Sequence, residues 1–279
     1  MSSPLSDQTF VALDFETTGK YPLTSEICEV ALIKFKGDQV LDRFESYVRP
    51  LKGMTKESEK VHGLSLESLK DAPDIKGVLT DMLEFIGDSP LVGHNITFDL
   101  GFLAYEFERL IKTDFSSLKR SHLCTSYLSL SLWPKLRSHR LIHLAQHIEL
   151  KLKPNHRAMQ DAEVCMLVFL ELIKNFNSLE ELLEAQKVDL NYKYFSISEL
   201  AKSKKFILDL ATSCEDLKEV EIKYSKGSKK NQWRTLNPKG LVLKENELGF
   251  FVATDPGDQQ TKRFMLSKIV EARLPNKRQ

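Results

Sequence analysis

Apolar and polar positions along the chain change period several times, and each change marks an element. From Thr9 the run TFVALDFETTG is rich in strand formers and ends in a Thr-Thr-Gly turn. Glu26 to Phe35 (EICEVALIKF) closes at Lys36-Gly37-Asp38, and Val40 to Val48 (VLDRFESYV) stops before Pro50. Strand composition bounded by turn residues predicts a three-stranded antiparallel meander here. Over Asp74 to Ile86 the pattern changes: Ile75, Val78, Leu79, Met82, Leu83 and Ile86 recur at helical spacing, predicting a helix whose apolar face lies on the sheet. Leu91-Val92-Gly93 is a short buried strand, and Phe98 to Ile111 is helical through Phe102, Leu103, Phe107 and Leu110. A further helix from about Arg157 to Asn175 carries Ala158, Ala162, Cys165, Met166, Phe169 and Ile173. The first part therefore reads as α/β, a mixed sheet flanked by helices.

Beyond it, a Leu/Glu-rich stretch and SISELAKSKKFILDLA predict connecting helices over residues 177–215. VEIKYS, QWRTLNPKGLVLKE, GFFVATDPG and KRFMLSKIVEARL follow, short alternating segments parted by Gly, Asn and Asp. That is the pattern of a small C-terminal β-rich domain. The expected division is a domain over 8–176, a helical linker over 177–215 and a β domain over 216–279.

Composition agrees with this division. A chain of 279 residues has room for two domains at about 150 residues each. With 42% hydrophobic and 28% charged residues it can bury a core. No apolar run approaches the roughly 18 residues needed to cross a bilayer. The first residues, MSSPLSDQTF, lack the basic and apolar regions of a secretory signal, so a cytoplasmic location is expected. Cys28, Cys124, Cys165 and Cys214 have no C-x-x-C spacing and read as reduced, buried thiols. The net charge of +1 hides an asymmetry: residues 218–279 hold 14 Lys and Arg against 7 Asp and Glu, leaving 26 against 32 before them. The basic tail is equally a surface for a polyanion and a solvated face.

Three short segments carry chemistry. Asp14 and Glu16 lie two apart at the end of the first strand, so both carboxylates face one side. Two anions this close call for a cation between them, and hard Mg²⁺ or Mn²⁺ prefers carboxylate oxygen. Alone, the pair is more simply two solvated acids. Gly93-His94-Asn95-Ile96-Thr97-Phe98-Asp99 sits at a strand-to-helix junction, where Asp99 equally suits the helix dipole. His156-Arg157-Ala158-Met159-Gln160-Asp161 opens the last helix of the first domain. Together and in this order, each at an element boundary, the three make coincidence a poor explanation.

On these residues the chain resembles the DEDDh exonucleases of the DnaQ-like superfamily, over roughly residues 8–176. Asp14 and Glu16 match the first motif, Asp99 the second, and His156 and Asp161 the third. Arg157 stands where a tyrosine subclass would have Tyr. The resemblance implies a ribonuclease H-like fold and release of nucleoside 5′-monophosphates from the 3′ end of single-stranded DNA or RNA, with two divalent ions (Mg²⁺ or Mn²⁺). It makes Asp14, Glu16 and Asp161 ligands on the nucleophile side, Asp14 also a bridge, and Asp99 a ligand of the second ion directly or through water. His156 becomes the general base, a task suited to an imidazole. Thr17, Thr18, His62, Leu64 and Phe98 are implied contacts of the terminal nucleotide, while Leu64 and Phe98 read equally as core residues. Replication, repair or RNA-processing proteins are the implied partners, and no membrane is involved.

Residues 218–274 resemble, less closely, the WYL domain, a small Sm-like barrel; Gly249-Phe250-Phe251-Val252 stands where Trp-Tyr-Leu is expected. By that resemblance Arg234, Arg263 and Lys268 are candidates for a nucleic-acid face, against a basic barrel that holds another protein. Gln186 to Tyr192 (QKVDLNY) is a distant echo of a polymerase-clamp peptide and otherwise plain linker. The rival to an exonuclease is an inactive nucleic-acid-binding or regulatory protein; the presence of all five catalytic-type residues favours the enzyme.

Overall fold

The computed structural model describes residues 5–111, 122–227, 229–245, 249–257 and 259–275. The chain divides into two compact units, Met1–Thr18, Ile27–Asp99 and Leu118–Asn191 in the first, and Gly19–Glu26, Leu100–Ser117 and Tyr192–Gln279 in the second.

In the first unit β1 (Thr9–Thr17), β2 (Ile27–Lys36) and β3 (Gln39–Tyr47) form the expected antiparallel meander. After α1 (Lys56–His62) and α2 (Ile75–Ile86), β4 (Leu91–Gly93) pairs in parallel with β1. Then α3 (Thr97–Glu106) begins in the first unit and from Leu100 belongs, with the π-helical turn Phe107–Ile111, to the second; back in the first, β5 (Leu123–Cys124), parallel to β4, completes a five-stranded sheet ordered β3-β2-β1-β4-β5. The remaining helices are α4 (Thr125–Leu132), α5 (Leu141–His147), α6 (Ala158–Leu172) and α7 (Leu179–Gln186).

Strand alternation decides which residues meet α6. Phe10 and Ala12 of β1 and Ala31, Ile33 and Phe35 of β2 share one buried cluster with Ala162, Cys165 and Phe169 of α6. Phe10 lies 5.1 Å from Phe169 and 5.7 Å from Phe35, centroid to centroid. Burying a side chain of this size contributes about 1.5–3 kcal/mol. The same parity continues to Asp14 and Glu16 on β1 and to Glu29 on β2, which is paired with Glu16. The sheet face that is apolar in its middle thus becomes acidic at the end where α6 begins.

Leu182 of α7 belongs to this core, and Gln186 is buried, bonded to the Cys124 N–H, the His122 carbonyl and the Val188 carbonyl. Leu190 and Tyr192 are also buried, so the clamp-peptide echo has none of its anchoring side chains free.

In the second unit α8 (Ile197–Ser203) and α9 (Phe206–Asp216) precede β6 (Val220–Tyr224), β7 (Trp233–Val242), β8 (Phe250–Thr254), β9 (Thr261–Met265) and β10 (Ile269–Arg273). Ile207, Leu210 and Cys214 of α9 pack with Val220, Leu236, Phe251 and Phe264. Residues 177–215 are therefore apportioned, α7 to the first unit and α8 and α9 to the second. The segment KRFMLSKIVEARL is two strands, because the turn Leu266–Lys268 buries Leu266 and gives its N–H to the Gly249 carbonyl at 3.0 Å.

An Sm-like barrel is implied by the resemblance, but the antiparallel sheet is open: its order is β10-β6-β7-β8-β9, and among the described residues no ladder joins β9 to β10. All four cysteines are free and buried, and no described helix is long and apolar enough to cross a membrane.

Candidate active site

Three chain reversals bring the acids together. Asp14 and Glu16 end β1, Asp99 stands in the first turn of α3, and Asp161 in the first turn of α6. Because β4 runs parallel to β1, the chain leaving β4 emerges beside the acidic end of β1. It turns there through Gly93 to Asn95. A Cβ on Gly93 would lie 2.7 Å from Ile96 Cγ1, and Asn95 has φ 56°, so the reversal needs a glycine and a residue that tolerates left-handed backbone. The β1–β4 ladder ends at Ala12 and Val92; beyond it the Phe15 N–H donates to Asp99 Oδ1 at 3.1 Å.

Asp161 is buried, and its Oδ1 accepts the Asn155 N–H at 2.8 Å. Between them His156 is exposed and left-handed, with φ 59°. Glu16, His156 and Asp161 bring ligand atoms within 4.8 Å of one another. A cleft of about 680 Å³ is lined by Asp14, Asp161 and His156, with His94, Asn95, Ser126, His139 and Arg140 among the residues facing them.

The electrostatics explain what such a site takes up. Burial, then Asp99, Glu16 and Asp161, push the Asp14 carboxyl well above its ordinary range. Glu16 is pushed up to about 8 by burial and then by Asp161, Glu29 and Asp99, with Arg157 offsetting in part. Asp161 and Asp99 are also raised by burial, each partly relieved by a backbone N–H. Asp14 and Asp161 line the cleft, Glu16 stands within ligand distance of Asp161 and the His156 imidazole, and Asp99 is close enough to Asp14 to raise it; carboxyls that resist ionisation together form a hard oxygen donor set that suits Mg²⁺ or Mn²⁺. The residues present fit the divalent ions that the resemblance implies.

Among the other expected contacts, Thr17 and Thr18 are buried, and His62 is buried with Nδ1 accepting the Leu64 N–H at 3.0 Å. Burial lowers its pKa, against a hydrogen bond to the Thr17 backbone. Leu64 packs with Cys28, Leu69 and Met54, while Phe98 is partly exposed beside Asp99. In the second unit the three basic candidates do not share a face. Arg234 lies 5.9 Å over Phe264, a core residue. Arg263, adjacent to Phe264 and so on the opposite face, lies 4.9 Å over Phe250. Lys268 is in the turn after β9.

Sequence reading did not single out Glu29 or the facing wall of His94, His139 and Arg140. Glu29 is fully buried, holding Arg157 and the Ala158 N–H. Its only local signal is its place on the same strand face as the apolar residues 31, 33 and 35. His94, whose pKa burial and then His139 lower to about 4, meets Thr125 Oγ1 at 2.9 Å.

Residues 11–169 match the RNase_T family, described as exonuclease, and residues 205–274 the WYL domain. The chain is 33% identical over 171 residues to the PolC-type DNA polymerase III of Bacillus subtilis (strain 168), which covers 61% of this chain and 12% of the polymerase. With that of Caldanaerobacter subterraneus subsp. tengcongensis it shares 29% over 275 residues, covering 95% of this chain and 19% of the polymerase. The chain thus spans less than a fifth of each of these relatives. Among solved structures, E. coli exonuclease I in complex with a dA16 oligonucleotide has a TM-score of 0.54 at 16% identity, covering 89% of this chain and 55% of that one. The nuclease domain of 3′hExo, a DEDDh family member bound to rAMP, has 0.53 at 14%, covering 61% and 94%. The chain belongs to the exonuclease family, as a DEDDh, DnaQ-like domain with a WYL domain after it.

Proposed function

We propose that the chain shortens single-stranded nucleic acid from its 3′ end, releasing nucleoside 5′-monophosphates, with two divalent ions held by Asp14, Glu16, Asp99 and Asp161. The observation that carries this reading is the nearness of acids from three separated segments: Asp14 and Asp161 line the cleft with His156, Glu16 lies within ligand distance of both Asp161 and His156, and Asp99 acts on Asp14 and Glu16 through its charge. Bound there, the ions would make water a nucleophile at neutral pH and offset charge gathering on phosphorus. The rest falls to the protein's own side chains. Exposed at the cleft, His156 takes the proton of the attacking water. Asp99, whose Oδ1 takes the Phe15 N–H, would hold the second ion through its other oxygen. Thr17, Thr18, His62, Leu64 and Phe98 are the residues we assign to the terminal sugar and base; the first four are buried in the free chain, and Phe98 is partly exposed. Arg234, Arg263 and Lys268 do not share a face, so each is a separate candidate in the second unit for contact with nucleic acid, by charge rather than by sequence.

DNA is the favoured strand, because the relatives at about a third identity are DNA polymerases; among fold neighbours, exonuclease I is described with a dA16 oligonucleotide and 3′hExo with rAMP. The test is a labelled oligonucleotide, DNA or RNA, single- or double-stranded, incubated with Mn²⁺ or with chelator. Shortening from the 3′ end that stops with chelator is expected. A gel shift without cleavage under every condition overturns the reading in favour of a binding protein.

A further inference from the structure

Beside the acids assigned to the ions stands one that the protein itself occupies. Glu29 is the cross-strand partner of Glu16 and is fully buried. Arg157 donates to its Oε1 through Nη2 at 2.7 Å and Nε at 3.1 Å, and the Ala158 N–H donates to its Oε2 at 3.1 Å. Arg157 Nη2 also donates to the Tyr47 hydroxyl at 2.6 Å. The residue that caps α6 is thus held by both β2 and β3. Its neighbour His156 is left-handed, a state that costs a β-carbon residue energy and persists only where the surroundings impose it. On the other side Asn155 is tied to Asp161 through its N–H. The histidine is therefore fastened at both flanking residues while the residue itself is exposed at the cleft.

We propose that Glu29 and Arg157 are positioning residues, a clamp between the sheet and the start of α6 that sets where the His156 ring stands over the carboxylates. This rests on the exonuclease reading for its kinetic consequence, but the geometry it asserts concerns the folded chain alone. Arg157 suits the task because its planar fork engages both oxygens of a carboxylate, which a lysine ammonium does not.

The test uses the full chain with Glu29→Gln, Arg157→Lys, Arg157→Met and the double variant Glu29→Gln/Arg157→Met. Removing one partner strands a buried group and is expected to lower stability; removing both relieves this. The double variant is therefore expected to regain thermal stability over the single variants, yet release nucleotide about 10- to 100-fold more slowly. That loss should fall on kcat, with KM and Mn²⁺ affinity by calorimetry little changed. In the metal-free protein, the His156 ring resonances in NMR should shift and broaden. Arg157→Lys, which keeps a charge partner and is expected to fold, should show the same loss. Wild-type kcat and unmoved His156 resonances in the double variant or in Arg157→Lys overturn the clamp and leave the pair a stability device. Absence of Mn²⁺-dependent release by the unaltered chain would remove the exonuclease reading instead, and the resonances would still decide the clamp.

Discussion

Asp99 reaches back to β1 and takes the N–H of Phe15, the residue between Asp14 and Glu16, at 3.1 Å. One side chain thus ties the start of α3 to the strand that carries two of the acids. The bond exists because the β1–β4 ladder stops at Ala12 and Val92, leaving the strand's later donors on that side to something other than a strand.

Asp99→Asn keeps an acceptor for Phe15 and removes the charge. Its thermal stability should equal or exceed that of the unaltered chain, while Mn²⁺-dependent release falls to background. Asp99→Leu strands the buried N–H as well and should cost about 1–3 kcal/mol in denaturant unfolding. Full activity in Asp99→Asn would remove Asp99 from the ion site.

Asp14→Ala and Asp161→Ala should each abolish release by taking away an oxygen that holds an ion, with the fold retained by circular dichroism. Calorimetry should show weakened Mn²⁺ binding. Turnover near wild type in either variant contradicts the assignment.

His156→Ala should slow release by roughly 100-fold or more while leaving Mn²⁺ affinity largely intact, as expected for a lost general base. A rate in this variant equal to that of the unaltered chain across pH 6 to 9 would exclude the imidazole from the reaction.

Glu16 ties stability to pH. Its carboxyl rises from an ordinary 4.5 to about 8, so between those values the folded chain holds a proton that the unfolded chain has lost. That contribution is fully present below about 4.5 and is lost as pH rises through about 8. Metal-free protein should therefore melt at falling temperature over this window. Glu16→Gln should flatten the trend, and saturating Mn²⁺ should raise stability most at the alkaline end, where the cluster is ionised. A metal-free melting temperature that rises with pH in step with Glu16 ionisation contradicts the burial argument.

Gly93→Ala should destabilise the first unit by about 1–3 kcal/mol, because its methyl would meet Ile96, a fully buried residue at the tight turn into α3. Unfolding measurements showing no loss would mean that the turn yields more readily than its packing indicates.

Much of the site was legible because its residues come in short local runs. Asp14 and Glu16 share a face by strand alternation alone, and HRAMQD shows both the start of a helix and its acid. Glu29 was not legible: its partner Arg157 lies 128 residues away, and an acid on an alternating strand looks the same whether it meets water or a guanidinium. The left-handed turn at His156 was equally silent, since no glycine marks it. The short helices α4 and α5 escaped because seven or eight residues offer too few turns for a clear period. In the second unit, KRFMLSKIVEARL reads as continuous alternation, and only the burial of Leu266 shows where one strand stops and the next begins.

The sequence by itself determined the meander, the main helices, the acids and their order, all set by the nearest few residues through backbone geometry and periodicity. The tertiary structure decided that Glu29 is the acid Arg157 holds, how Asp99 is held and how far the C-terminal sheet closes. Those outcomes depend on groups brought together from distant parts of the chain, where the cost of burying charge selects the partner.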